Sequence, residues 1–198
     1  LNLEIQITMK HTLSIFTLLL FFTWFSGCQT QNLLPAEDLN IEHSTEFQAS
    51  KQAWLDFKKA TNNSYQFIAA ESSWSGLAWE TTITVEKGVV TQRHFKYTST
   101  KPLGDDMPKE FLEWTEVGKE VGSHTGTSAA PARTLDEVYS LAQTDWLLKR
   151  DHTKTYFEAK NNGILSVCGY MDDYCADDCF VGVRIRSVES EREWGLSK

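Results

Sequence analysis

Residues 65–97 read YQFIAAESSWSGLAWETTITVEKGVVTQRHFKY, and the fold is decided there. Tyr65, Phe67 and Ala69 alternate, as they do in a strand with one buried face. Leu77, Trp79, Thr81, Ile83 and Val85 alternate in a second run. Glu86-Lys87-Gly88 turns the chain into a third, in which Val89, Thr91, Phe95 and Tyr97 share a face with Arg93. A period of two kept through three runs with short turns between them predicts three antiparallel strands.

Upstream, Thr45-Glu46-Phe47-Gln48 has the spacing of a capping box with Thr45 as N-cap. Phe47, Trp54 and Phe57, with the small Ser50 between them, fall on one helical face; Gln52, Asp56 and Lys59 lie opposite, and Asn62-Asn63 ends the helix. Downstream the order repeats. Thr134-Leu135-Asp136-Glu137 is a second capping box, opening a helix with Leu135, Val138, Ala142 and Trp146 inward. Thr155, Phe157 and Ala159 alternate up to Asn162-Gly163, a strong hairpin signal, and Ile164 to Tyr170 returns. Phe180 to Val188 closes the chain's last strand around Val181, Val183 and Ile185. The expectation is an α+β fold: two α-β-β-β units giving an antiparallel sheet with the helices packed on one face.

Between the units, residues 99–132 form a long loop. Phe111, Leu112, Trp114 and Val117 fit a short helix after Pro108 or a hairpin turning at Gly118-Lys119, and Gly122 to Pro131 is small, polar and reads as flexible. A connection of this length is either functional or mobile.

The chain of 198 residues carries a net charge of −8 and no Lys/Arg run, which argues against a phosphate backbone, so no nucleic acid is expected as a partner. Seven Trp and 11 Phe at 41% hydrophobic composition exclude a disordered or fibrous chain. An apolar run from Leu13 to Phe25 follows Met9-Lys10, has the length of a signal h-region and is too short to span a hydrocarbon core comfortably. It ends in Phe25-Ser26-Gly27-Cys28. This resembles the lipobox of bacterial lipoproteins, with Phe25 where that family commonly has an aliphatic residue. The resemblance implies cleavage after residue 27 and a diacylglycerol thioether on Cys28. Residues 1–27 are then a signal peptide with its true start at Met9, residues 28–43 a lipidated tether, 44–190 the α+β domain and 191–198 a tail. Gln29 rather than Asp follows Cys28, which by the lipoprotein rule implies the outer membrane of a bacterial envelope.

The order of elements resembles an uncharacterised domain family of small bacterial envelope lipoproteins. The residues that carry the likeness are Trp54 in the first helix, Tyr65-Gln66-Phe67, the hairpin Lys87-Gly88-Val89, the helix start Thr134 to Tyr139, and Gly163-Ile164-Leu165-Ser166. It covers about residues 47–188 and implies the fold and the cell envelope. No activity or catalytic residue comes with it.

With Cys28 lipidated, Cys168, Cys175 and Cys179 remain, and an oxidising envelope favours one disulfide. Cys175–Cys179 is the easiest pair, both lying on one flexible segment; Cys168–Cys179 is the alternative. The same loop holds Asp172, Asp173, Asp177 and Asp178. Four carboxylates offer hard oxygen ligands for calcium, but the spacing lacks the alternation and distal Glu of an EF-hand, and a solvated acidic turn is favoured.

The five histidines, His11, His43, His94, His124 and His152, include no two at ligand spacing, and no phosphate loop or nucleophile elbow is present. No catalytic residue is assigned. Trp74 and Trp114, each near carboxylates (Glu71, Glu80, Glu113), are the candidate ligand-binding residues, since aromatic faces with acids suit a sugar. The expected function is a lipid-anchored, non-catalytic binding or interaction module. Its expected partner, for which another envelope protein is the candidate, would meet the sheet face bearing Gln92, His94 and Lys96. The alternative is a glycan- or peptide-binding protein or hydrolase using the exposed Trp and nearby carboxylates.

Overall fold

The computed structural model describes residues 40–101, 103, 107–177, 179–191 and 193. The first helix, α1 (Ser44–Ala60), buries Phe47, Ser50 and Trp54, the stripe expected from the sequence. Its start differs. His43 is the N-cap in a left-handed conformation and makes no side-chain cap bond, so Thr45 already lies inside the helix and its box with Gln48 is not built. The helix stops where expected: Asn62 and Asn63 take the left-handed conformation that Asn tolerates, and the Asn63 N–H returns to the Lys58 carbonyl at 2.8 Å. Ile41, assigned to the tether by sequence, bridges to Leu148 and joins the core.

Three strands follow, β1 (Tyr65–Ser72), β2 (Ala78–Glu86) and β3 (Val89–Ser99). Phe95, Arg93 and Tyr97 stand opposite Thr81, Ile83 and Trp79, as their parity requires. Nearer the β2–β3 turn a bulge between Thr84 and Val85 pairs Val85 with Val90. Val90 therefore packs against the core and Val89 is exposed, the reverse of the expected parity, because one extra residue flips the faces.

The readings of residues 109–120 meet halfway. A single helical turn, α2 (Lys109–Leu112), leads into a strand, β4 (Glu113–Val117), and a 3₁₀ turn over Gly118–Glu120. The strand β4 pairs antiparallel with β3 and joins the sheet as a seventh strand, which the hairpin reading allows and the helix reading does not.

The second capping box is built: the Thr134 hydroxyl accepts from the Glu137 N–H while the Glu137 carboxylate accepts from the Thr134 N–H. It opens α3 (Leu135–Leu141), which passes into a π-helical turn over Ala142–Trp146. The wider turn brings Ala142, Trp146 and Leu147 to the same interior. The remaining strands are β5 (Thr153–Glu158), β6 (Val167–Asp172) and β7 (Val181–Ser190). Asn162 and Gly163, both at positive φ, make the tight turn between the bridged Asn161 and Ile164.

All seven strands form one antiparallel sheet in the order β4-β3-β2-β1-β7-β6-β5, an α+β architecture. The core sets Phe47 and Trp54 of α1 and Leu135, Val138 and Tyr139 of α3 against Tyr65, Phe67, Ile83, Val85 and Ile185 of the sheet. Trp54 stacks on Tyr139 (centroids 6.3 Å apart) and meets Tyr65 edge-on, and its indole N–H reaches Asp136 at 2.9 Å. Buried hydroxyls act as fasteners. The Tyr65 hydroxyl accepts from the Leu135 N–H, and that of Tyr139 accepts from the Leu165 N–H and pairs with Ser50. Burial pushes both phenols above their ordinary values, so each stays a neutral donor and acceptor.

Candidate functional site

The pairing of β1 with β7 runs from Tyr65–Ser190 to Ala69–Ile185, with a register shift between Ile68 and Ala69, and ends there. The pairing of β1 with β2 continues to Ser72–Ala78. Beyond Ala69 the two central strands part, and a cleft of about 530 Å³ opens at that end of the sheet. Phe67 and Trp79 line it from the sheet, Val138 and Trp146 from the helical layer, and Arg133 and Phe180 from two loops. That volume lies within the range of small-molecule sites.

Where the ladder ends, Glu71 takes over. Its carboxylate receives the Arg184 guanidinium at 2.7 Å. Burial raises the Glu71 carboxyl, and Arg184 opposes that shift without cancelling it. The Arg184 guanidinium lies 3.7 Å from the Phe180 ring centroid, so the acid, the base and the aromatic ring form one unit at the cleft.

The second wall comes from the loop that the sequence reads as flexible. The structure pins it. Glu116 on β4 is fully buried and receives Arg93 Nε and Nη2, both at 2.8 Å. The backbone N–H groups of Gly122 and His124 and the His124 Nδ1 also bond to it. Burial alone would raise this carboxyl; the Arg93 guanidinium and the His124 and Gly122 donors outweigh it and hold it well below the usual carboxylate range. Arg93 then reaches back to the His124 and Ala130 carbonyls, and the Ala130 N–H bonds Thr81 Oγ1 at 2.9 Å. Ser128 to Pro131, thus fixed, border the cleft.

Trp114 belongs to that anchor. Its ring stacks on His124 at 4.1 Å and on Phe95 at 5.3 Å, with the Arg93 guanidinium 4.9 Å away. Trp74 stands at the β1–β2 turn with 79% of its surface exposed. Neither lines the 530 Å³ cleft, whereas Trp79, read from its parity as core, does. Of the carboxylates near these rings, Glu71 reaches the cleft, Glu113 bonds His94 at 2.9 Å, and Glu80 pairs with Arg186 and Lys96. On the strip of Gln92, His94 and Lys96, His94 is thus bonded to Glu113, and Lys96 shares Glu80 with Arg186.

Cys175 and Cys179 form the disulfide, with Cα atoms 6.2 Å apart, and Cys168 is free and buried on β6. Its surroundings push the thiol up to about 12. In the acidic loop Asp172 accepts from the Tyr174 N–H, Asp177 borders the cleft, and Asp178 lies outside the described residues. Among the described residues no group of three or more His, Cys, Asp or Glu could hold a metal ion. Cys28 and the apolar run before it also lie outside the described residues, within which no helix is long and apolar enough to cross a membrane.

Sequence reasoning missed Glu71 with Arg184, Arg133 and Phe180 as neighbours. The first pair is separated by 113 positions, and no spacing rule joins them. No family model, curated protein or solved structure matches the chain.

Proposed function

We propose that this is a lipid-anchored binding protein of the bacterial envelope, tethered to the outer membrane through Cys28 and taking its ligand in the cleft where β1 and β7 part. The apolar run ending in Ser26-Gly27-Cys28, with Gln29 after it, supports the address. The order of elements supports two α-β-β-β units, α1 with β1–β3 and α3 with β5–β7, meeting at β1 and β7, and it favours the likeness to small envelope lipoproteins.

The observation that carries the binding reading is the cleft itself. It is concave, walled by aromatic rings from both layers, and supplied with a few fixed polar groups. Glu71, a carboxylate of the cleft wall, is committed to Arg184 by an ion pair, an arrangement suited to orienting a ligand.

Photo-crosslinking in intact cells tests this. The full chain carrying benzoylphenylalanine in place of Trp79 should yield a discrete adduct that the same residue in place of Val89 does not. The same adducts from both positions, or none from Trp79, would overturn the cleft as the binding surface. A discrete protein adduct from His94 without one from Trp79 would move the site to the opposite sheet face.

A further inference from the structure

We propose that the cleft takes a small monoanionic organic acid, its carboxylate on Arg133 and its apolar body against Trp79 and Phe180. This rests on the cleft being the binding surface and names the ligand's chemistry.

The argument is one of charge matching. Acidic residues outnumber basic ones 27 to 19, so an arginine in this chain seldom lacks a carboxylate. Arg93 has Glu116, Arg150 has Asp145, Arg184 has Glu71 and Arg186 has Glu80. Among the described arginines Arg133 alone has no acidic partner, although it is half-buried and borders the cleft. Its backbone N–H is engaged with the Pro131 carbonyl, while its guanidinium has no hydrogen-bond acceptor among the described residues. A guanidinium at the border of a cleft without an anion leaves a fork of donors whose complement is a planar carboxylate bound through two oxygens.

The neighbours set the valence. Glu71 and Arg184 cancel, and Asp177 adds a negative charge at the border. Among the described residues of the cleft, one free cation beside a carboxylate leaves room for a single negative charge and disfavours a phosphate dianion. The rings of Trp79 and Phe180 define the rest of the ligand as apolar, aromatic or aliphatic.

The test uses the full chain in lipid nanodiscs, with empty nanodiscs as the blank, and ligand-observed NMR titrations of indole-3-propionate against its neutral analogue indole-3-propanol. The acid should bind at least about ten-fold more tightly, equivalent to about 1.4 kcal/mol, within the worth of a charge-assisted hydrogen bond. Arg133→Gln should bring the acid down to the level of the alcohol with an unchanged melting temperature, and Arg133→Lys should restore part of the difference. Trp79→Leu, or Phe180→Leu if the first does not fold, should weaken both ligands. Equal binding of acid and alcohol, binding of neither, discrimination that survives Arg133→Gln, or displacement of the acid by lower concentrations of inorganic phosphate would each overturn the assignment. Equal binding that is still lost on Trp79→Leu would sink the charge argument and leave the cleft, so the two failures are distinguishable.

Discussion

Glu116→Gln tests the anchor that holds the long loop against the sheet. Wild-type Glu116 is fully buried, bonded twice by Arg93 and further by Gly122, Ser123 and His124. The amide keeps one acceptor oxygen but removes the charge that compensates Arg93, whose side chain is itself only 6% exposed. Breaking one partner of a buried pair costs about 3–5 kcal/mol, and the retained oxygen puts this case near about 3. For a domain of this size that is a fall in melting temperature of roughly 6–12 °C. The same change should open residues 118–132 to limited proteolysis at Lys119, because one of the two oxygens that receive the loop's backbone donors becomes an amide NH2. The pH dependence follows from the sign of the shift. A carboxyl held below its unfolded value contributes stability that is complete above about pH 4.3 and is lost as pH falls toward the folded value. Wild type should therefore lose stability steeply on acidification below about pH 4, and Glu116→Gln less steeply. Thermal melts from pH 7 down to 3, with a protease time course at pH 7, measure all three effects. A variant melting within about 2 °C of wild type, with its loop equally resistant, would refute the anchor.

Cys168, its thiol pushed up to about 12, should resist iodoacetamide at pH 8 in the folded chain and react on unfolding in urea, as peptide mass analysis would show; labelling at equal rates in both states would contradict its burial. Replacing both Cys175 and Cys179 with Ser should lower stability by no more than about 2 kcal/mol, since the closed loop is short; calorimetry showing a loss several times larger would mean that the loop bears on the core. Gly182→Ala should cost about 3 kcal/mol or more, because a Cβ there would overlap the Cys168 carbonyl and the backbone sits at positive φ. Gly122→Ala, with open space around it, is the control, and equal denaturation midpoints for the two would refute the close approach of β6 and β7.

The parts of the fold that were legible in the sequence are those where a single face is buried. Tyr65, Phe67 and Ala69 announce β1 because the sheet has one packed side at those positions, and Thr134 with Glu137 announces α3 because the capping box is a local bond set. The strand β4 was not legible as such: it is an edge strand whose Glu113, Thr115 and Val117 are exposed, so its alternation reads equally as a helix or a hairpin. Parity failed at Val89 because a bulge leaves no mark in hydrophobic period. Thr45 failed as a cap because His43 starts the helix with backbone geometry alone. The long loop was misread for a different reason. Its composition is that of a flexible segment, and what fixes it is a carboxylate on a strand meeting an arginine 23 positions earlier, a contact that only the folded sheet creates.

The site follows from the same geometry. Strands β1 and β7 are neighbours in space and stand at opposite ends of the domain's sequence, so their seam is made late in connectivity and is short. A register shift at Ile68/Ala69 increases the local twist, and pairing ends one residue later. On its other side β7 is bound to β6 by the facing glycines Gly169 and Gly182, which permit an approach that any side chain would prevent. Held closely by β6 and released by β1, β7 diverges, and beyond the last β1–β7 pair the Glu71 carboxylate takes the Arg184 guanidinium instead. The Glu71–Arg184 pair bridges the opening, and being neutral as a pair it leaves the cleft's electrostatics, among the described residues, to Arg133 and Asp177. Both of these come from loops held by other means, Arg133 by the turn before the α3 cap and the Glu116 anchor, and Asp177 by the disulfide ring around it. The sheet thus supplies the shape of the cleft and the loops supply its charge, and substitutions at Arg133 should change which ligand is chosen without changing whether the cleft exists.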